Sequence, residues 1–135
     1  VIAIDDQDKL HLSYFAYEET DINLISMKYL KYATNKGGDW QYTRIDPTSD
    51  WNGHRSSIAI DANGNVHISY DEMAVSSWKT VLMYATNVNG VWENKVVDAT
   101  LGVGHPNDIG VDQGSKVHIT YLNGGKMDLK YAVSV

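Results

Sequence analysis

The amino-acid sequence predicts an all-β fold, and three observations support this prediction. The chain has 135 residues and is 43% hydrophobic, which is enough for one domain with a core. Tyrosine and β-branched residues, which favour strands, dominate its apolar set. A block of alternating apolar residues occurs three times, and no amphipathic helical segment of useful length stands out.

The first half of this block predicts two short strands joined by a turn. In the middle copy, residues 57–70, it reads SIAIDANGNVHISY. The Asp-Ala-Asn-Gly-Asn between the two apolar runs is typical of a hairpin turn. The first strand recurs at 2–5, 58–61 and 109–112, and the second at 11–14, 67–70 and 118–121.

The second half of the block predicts two further strands. The third strand recurs at 30–34, 82–86 and 129–132, whereas the fourth is found only at 40–46 and 92–98. The strand-two histidines are 56 and 51 residues apart, a period typical of four-stranded β-propeller blades. We therefore predict one propeller segment over 1–135, with blades at 1–50, 51–101 and 102–135, the last lacking its outer strand.

The full pattern resembles a known class of repeats. S-I-A-I-D-x-N-G-N-x-H-I-S-Y, followed by L-x-Y-A-T, G-x-W and V-D, is similar to the sialidase-like (BNR-type) bladed repeats of bacterial and archaeal secreted or surface proteins. This resemblance covers essentially the whole chain and implies a β-propeller, commonly extracellular, with glycan binding or surface interaction. The sialidase Asp-box, Ser-x-Asp-x-Gly-x-x-Trp, does not occur in that form, so the resemblance concerns architecture rather than catalysis.

Three blades do not make a closed ring. They leave two flat apolar blade faces, more contiguous apolar surface than a soluble monomer usually tolerates. We expect either pairing with upstream blades or a homo-oligomer, in which two copies form a six-bladed ring. A last copy without its fourth strand is the pattern of a propeller's C-terminal end, where an N-terminal segment supplies that strand.

Several repeated polar and aromatic residues are expected to be structural. Repeated histidines inside apolar strands favour hydrogen bonding between strands, and aspartates that begin turns bind their own backbone. The turns lack the spacing and final glutamate of a calcium loop, so no metal is predicted. The residues are the histidines His11, His67 and His118, the aspartates Asp5, Asp61 and Asp112, and the tryptophans Trp40 and Trp92, expected to pack on outer strands.

A second repeated pair predicts a ligand site. Gly-His occurs at 53–54 and 104–105, in the predicted loop that leads into the first strand of a blade. Equivalent loops of successive blades converge near the propeller axis, so their side chains meet in one concave region. The candidate ligand-binding residues are His54, Arg55, His105 and Asn107, with Asp71 and Glu72 beside them. Alternatively, each imidazole only ties its loop to the neighbouring blade.

The predicted loops between the second and third strands vary most in length. They cover 15–29, 71–81 and 122–128, and variable loops on a constant scaffold are typical of a binding surface. Their acidic and aromatic residues suit sugar hydroxyls and stacking on a pyranose ring, although simple solvated loops are the alternative. These residues are Tyr17, Glu18, Glu19, Asp21, Asp71, Glu72 and Trp78.

Composition excludes several function classes. The net charge is −6 with no basic run, which argues against nucleic acid and anionic membranes, and no apolar run is long enough for membrane insertion. The absence of cysteine excludes Cys-ligated metals and Cys nucleophiles. Arg44 and Arg55 are the only arginines, few for a sialidase, and no spacing selects a carboxylate pair. We assign no catalytic residue, metal or cofactor.

The sequence thus favours an extracellular binding or structural module that recognises glycan or protein ligands through loops on one face. One alternative is the C-terminal part of a sialidase-like or other carbohydrate-active enzyme, with its catalytic residues on other blades. The second alternative is a purely architectural domain of a surface protein.

Overall fold

The computed structural model describes residues 1–19, 26–46, 52–74 and 77–134. No helix in these residues is long and apolar enough to cross a membrane. The described residues form eleven strands: β1 (Ile2–Ile4), β2 (Leu10–Glu19), β3 (Ser26–Thr34), β4 (Gln41–Arg44), β5 (Asn52–Ile60), β6 (Val66–Ala74), β7 (Lys79–Thr86), β8 (Glu93–Asp98), β9 (Val103–Val111), β10 (Val117–Asn123) and β11 (Asp128–Val133).

The strands form three antiparallel sheets in which chain neighbours pair. Sheet I contains β1 to β4, sheet II contains β5 to β8, and sheet III contains β9 to β11. The prediction of an all-β chain with four, four and three strands is confirmed for the described residues. Each sheet arises because short apolar alternations are separated by Asp, Asn and Gly turns that reverse the chain.

The second and third strands of each sheet are longer than predicted. In sheet I, β2 pairs with β3 as far as Glu19↔Ser26, and in sheet II, β6 pairs with β7 as far as Ala74↔Lys79. The prediction of loops at 15–29 and 71–81 is therefore wrong for most of these residues. Backbone hydrogen bonds between the paired strands continue beyond the last residues of the apolar alternation. The change to polar side chains in the sequence therefore does not coincide with the ends of the strands.

Sheet II lies between the other two sheets and buries both of its faces. On one face Ile68 and Tyr70 belong to an apolar cluster with Leu30 of sheet I. On the other face Leu82 belongs to a cluster with Ile119 of sheet III. In β7 Leu82 and Tyr84 enter one cluster and Met83 and Ala85 enter the other, which is why this strand reads as a continuous apolar run.

Buried polar pairs join the sheets at equivalent positions. The Tyr70 hydroxyl lies 3.4 Å from Asp46 Oδ2, and the Tyr121 hydroxyl donates to Asp98 Oδ2 at 2.9 Å. Burial opposes ionisation of Asp98, but hydrogen bonds, led by the one from Lys130, hold its pKa well below the usual range. Burial raises the pKa of Tyr70, as does the negative charge of Asp46.

An Asp-His-Tyr chain recurs in each sheet. His11 Nδ1 lies 2.6 Å from the Tyr32 hydroxyl, and Nε2 lies 3.2 Å from Asp5 Oδ2. Since a carboxylate only accepts, a neutral His11 carries its proton on Nε2 and accepts from the tyrosine at Nδ1. In sheet III the equivalent chain is Asp112, His118 and Tyr131. In sheet II His67 Nδ1 lies 2.6 Å from the Tyr84 hydroxyl, but its Nε2 is 3.5 Å from Asp61 Oδ2 and makes an ion-pair contact rather than a hydrogen bond.

The aspartates of these chains also form the turns. Asp61 Oδ1 accepts the backbone N–H groups of Asn63 and Asn65 at 2.9 and 2.8 Å, and Asp5 and Asp112 do the same in their own turns. The predictions that the aspartates bind their own backbone and that the histidines are hydrogen-bonded between strands are confirmed. One carboxylate therefore fixes both a turn and a strand.

Burial separates the third histidine from the other two. The His11 and His67 side chains are 1% and 3% exposed, whereas that of His118 is 35% exposed, because within the described residues nothing covers the outer face of sheet III. Burial lowers the pKa of His67, although Asp61 opposes this shift.

The outer faces of the two end sheets carry exposed apolar residues. These are Ile2, Ile4 and Tyr42 on sheet I, and Leu129, Tyr131 and Val133 on sheet III.

The two repeated tryptophans differ in burial, because only Trp92 has a described neighbouring sheet to pack against. Trp92 packs edge-to-face on Tyr32 with ring centroids 5.1 Å apart, so it contacts the preceding sheet. The prediction that it is a packing residue is confirmed. Trp40 is exposed, and the same prediction is wrong for it within the described residues, because sheet I has no described preceding sheet.

Replacing His67 by alanine should lower the free energy of unfolding by about 1 to 3 kcal/mol, because the Tyr84 hydroxyl loses a buried partner. Urea denaturation followed by tryptophan fluorescence measures this change. The control is His54→Ala, which removes an exposed imidazole and should change stability by about 0.5 kcal/mol or less. Equal losses in the two variants would contradict the structural role of His67.

Candidate functional site

The two Gly-His pairs lie on strands rather than in loops, each within a β-bulge. β5 pairs with β6 at Asn52↔Glu72 and next at Ser56↔Tyr70, so residues 53–55 stand opposite the single residue Asp71. The same irregularity places residues 104–106 of β9 opposite one residue of β10. Such bulges bend a strand and re-aim its side chains. Here each bulge carries one histidine.

Glycine is required where each bulge lies against the neighbouring sheet. Gly53 has φ +71° and Gly104 has φ +88°. A Cβ at Gly53 would lie 2.5 Å from Leu30 Cβ, and one at Gly104 would lie 3.0 Å from Leu82 Cα. The glycines thus permit both the left-handed backbone and the close approach that positions the following histidines.

Asp71 is the centre of a polar cluster. Its side chain is buried, and Oδ1 accepts the backbone N–H of Arg55 at 2.8 Å. Its Oδ2 lies 3.0 Å from Nδ1 of His105, which belongs to the bulge of sheet III. One ligand atom from each of His54, Asp71 and His105 lies within 4.8 Å of the others. The two bulges thus bring two imidazoles to one carboxylate.

This cluster borders a cavity of about 510 Å³ to which all three sheets contribute. Edge-to-face contacts join Tyr17 to Phe15 and Phe15 to His54, and His54 stacks on His105 with centroids 6.1 Å apart. Tyr17 and Trp78 are 63% and 72% exposed. The lining residues are Phe15, Tyr17, Lys28, His54, Asp71, Met73, Trp78, Lys79, Thr80, Gly102, His105 and Gly124.

The predicted site residues are divided between two cavities. His54, Asp71 and His105 line the large cavity, together with Tyr17 and Trp78 from the segments of variable length. Arg55 and Asn107 line a neighbouring cavity of about 430 Å³, which also includes His54. The Asn107 side chain is held by Ser69 Oγ, which donates to its Oδ1 at 2.6 Å, and by the Gly104 carbonyl at 2.8 Å.

The remaining acidic candidates lie elsewhere. Glu72 follows Asp71 on β6, so its side chain points to the opposite face of the sheet, and its charge helps to raise the pKa of Tyr70. Asp21 and the side chains of Glu18 and Glu19 lie outside the described residues.

Sequence reasoning missed part of the cavity wall. Phe15, Lys28, Met73 and Lys79 line it but carry no repeated motif. Aligning the three copies could have indicated one wall position, because Phe15, Asp71 and Leu122 each directly follow the repeated tyrosine of the second strand. A position that changes chemistry between copies of a constant scaffold is a candidate for function rather than packing.

Comparisons with known proteins support the fold. No family model and no curated protein matches the sequence, so the sialidase-like resemblance remains a prediction from the repeats. The structure is similar to that of a fucose lectin from Kordia zhangzhouensis in complex with methyl-fucoside, with a TM-score of 0.61 and 12% sequence identity. The match covers 98% of this chain and 90% of that chain. At this identity the similarity concerns the fold.

Replacing Gly53 by alanine should destabilise the protein more than the same change at Gly90. Both glycines have positive φ, but a Cβ at Gly90 meets nothing within 4 Å, whereas at Gly53 it overlaps Leu30. Overpacking adds about 1 to 3 kcal/mol to the backbone cost that both variants share. Urea denaturation of the two variants measures the difference, and equal losses would contradict close packing of the bulge.

Proposed function

We propose that this chain is a carbohydrate-binding, lectin-like module that holds a monosaccharide unit in the cavity between its three sheets. One observation carries the proposal: two exposed aromatic rings, Tyr17 and Trp78, line the same cavity as the buried carboxylate of Asp71. Sugars offer apolar C–H faces that pack on aromatic rings and hydroxyl groups that need directed hydrogen bonds. The fold similarity to a lectin solved with methyl-fucoside supports the same class of ligand.

The polar groups are arranged for hydroxyl recognition. The backbone and His105 contacts fix the Asp71 carboxylate in place, so a sugar hydroxyl meets an acceptor that is already ordered. His54 at the cavity wall and the ammonium groups of Lys28 and Lys79 add donors. A volume of about 510 Å³ suits a small ligand.

Hydrolysis has less support than binding. Glycoside hydrolases use two carboxyl groups on either side of the scissile bond. Among the described residues that line the cavity, Asp71 is the single carboxylate. A sialidase also uses arginines, but Arg44 lies over the Tyr29 ring and donates to the Asp46 carbonyl, away from this cavity. We therefore propose binding as the function of the site.

Replacing Trp78 by alanine should weaken binding of a methyl glycoside at least tenfold, which corresponds to about 1.4 kcal/mol of lost stacking. Isothermal titration calorimetry with methyl-fucoside, methyl-galactoside and methyl-mannoside measures this effect. Trp78→Phe keeps a ring and should retain most of the affinity, and Val88→Ala, at an exposed turn outside the cavity lining, should have no effect.

Asp71→Asn keeps an oxygen that can accept the Arg55 N–H and should still weaken sugar binding, because the carboxylate charge is lost. Binding of none of the glycosides, or equal binding by the wild type, Trp78→Ala and Asp71→Asn, would overturn the proposed site.

We also propose that the three sheets are blades of a β-propeller and that a second copy of the chain covers their outer faces. The two internal interfaces use equivalent residues, including Tyr70 with Asp46 and Tyr121 with Asp98. The outer face of sheet I presents Trp40, the equivalent of Trp92, and that of sheet III presents Tyr131, the equivalent of Tyr32. Pairing these faces would repeat the internal interface between copies.

This proposal predicts a particle of about 30 kDa, twice the 15.1 kDa chain. Size-exclusion chromatography with light scattering measures the mass. Trp40→Ala combined with Leu129→Ala, at an exposed residue of the outer face of sheet III, should release monomers, whereas Val91→Ala, at an exposed turn, should not. A monodisperse wild-type monomer that unfolds cooperatively would contradict assembly. An extracellular location remains a proposal that rests on the repeat resemblance.

A further inference from the structure

We propose that His54, Asp71 and His105 form a binding site for a divalent transition metal ion such as Zn²⁺. This inference does not depend on sugar binding. Two imidazoles and one carboxylate are a donor set that suits Zn²⁺ and related ions, and three protein ligands leave a coordination position for water or another ligand.

The geometry fits this donor set. Two ligand atoms that each lie about 2.1 Å from a metal are separated by roughly 3.0 to 3.4 Å at right to tetrahedral angles. Asp71 Oδ2 and His105 Nδ1 are 3.0 Å apart. The third ligand, from His54, lies within 4.8 Å of both, and because His54 is exposed, its ring can rotate to close the remaining gap. Metal binding would replace the proton shared by Asp71 and His105.

The repeat supports a special role for Asp71. Its equivalents in the other two sheets, Phe15 and Leu122, are apolar, and a buried charge is costly unless it is paired. Its Oδ1 has a structural role, because it accepts the backbone N–H of Arg55. The residue of sheet III that is equivalent to Arg55 is Pro106, which has no N–H and needs no such acceptor. The hydrogen-bond partner of its Oδ2 among the described residues is Nδ1 of His105, so this oxygen lies where a metal ligand atom would lie.

The second imidazole also fits a ligand role. The bulge histidine of sheet II, His54, meets the ring of Phe15 in sheet I, and the equivalent histidine of sheet III, His105, meets the carboxylate of Asp71 in sheet II. The stacked arrangement of His54 and His105 places both on one side of the cluster. The set has one carboxylate and two nitrogens, so it disfavours Ca²⁺, which takes six to eight oxygen ligands.

Isothermal titration calorimetry of the untagged, chelator-treated full chain with ZnCl₂ tests the inference, with no sugar present. We expect one Zn²⁺ per chain, unaffected by excess Ca²⁺, and Co²⁺ should give visible d–d absorption bands. His54→Ala and His105→Ala should each lower the affinity at least tenfold, and Asp71→Asn should do the same. His118→Gln, at a half-exposed histidine outside the cavity lining, should retain wild-type affinity.

The absence of stoichiometric Zn²⁺ binding, or binding that is undiminished in His54→Ala and His105→Ala, would overturn the inference. His54 is exposed, so its variant should fold even if Asp71→Asn does not, and circular dichroism melts establish this for every variant. Because the readout is metal binding alone, failure of the sugar-binding proposal leaves this result unaffected, and the converse also holds.

Discussion

The repeated Asp-His-Tyr set of contacting side chains is the interaction on which the rest of the structure depends. In each sheet the aspartate holds the turn between the first two strands, the histidine lies on the second strand, and the tyrosine lies on the third. A single chain of side chains therefore fixes the register of three strands. Since these groups are buried in the first two sheets, an incorrect register would leave polar atoms without partners, at a cost of about 1 to 3 kcal/mol for each.

This constraint frees other positions to vary. Once turn, register and sheet packing are fixed by repeated residues, the ends of the second and third strands and the bulges can change without loss of the fold. Phe15 in sheet I and Asp71 in sheet II illustrate the result, because the same position contributes an apolar ring in one sheet and a buried carboxylate in the next. The cavity is thus asymmetric although its scaffold is repetitive.

The bulges connect the scaffold to the candidate site. Gly53 and Gly104 let the first strand of a sheet approach the preceding sheet, and the histidine that follows each glycine then reaches a residue of that sheet. Sugar binding and metal binding both draw on this arrangement, and both use Asp71 and His54. They differ in that sugar stacking also needs the exposed rings of Tyr17 and Trp78, whereas metal ligation needs His105.

The sequence by itself determined the repeat, the all-β class, the strand order and the structural role of His67, because hydrophobic alternation and turn residues are local signals. It also selected His54, Asp71 and His105 as candidates. Only the structure decided that Asp71 and Glu72 lie on a strand, and therefore on opposite faces, that the Gly-His pairs are bulges, and that Phe15 joins the site. These features depend on the pairing of strands and the packing of sheets, and contacts between residues 34 positions apart, such as Asp71 and His105, leave no local pattern in the chain.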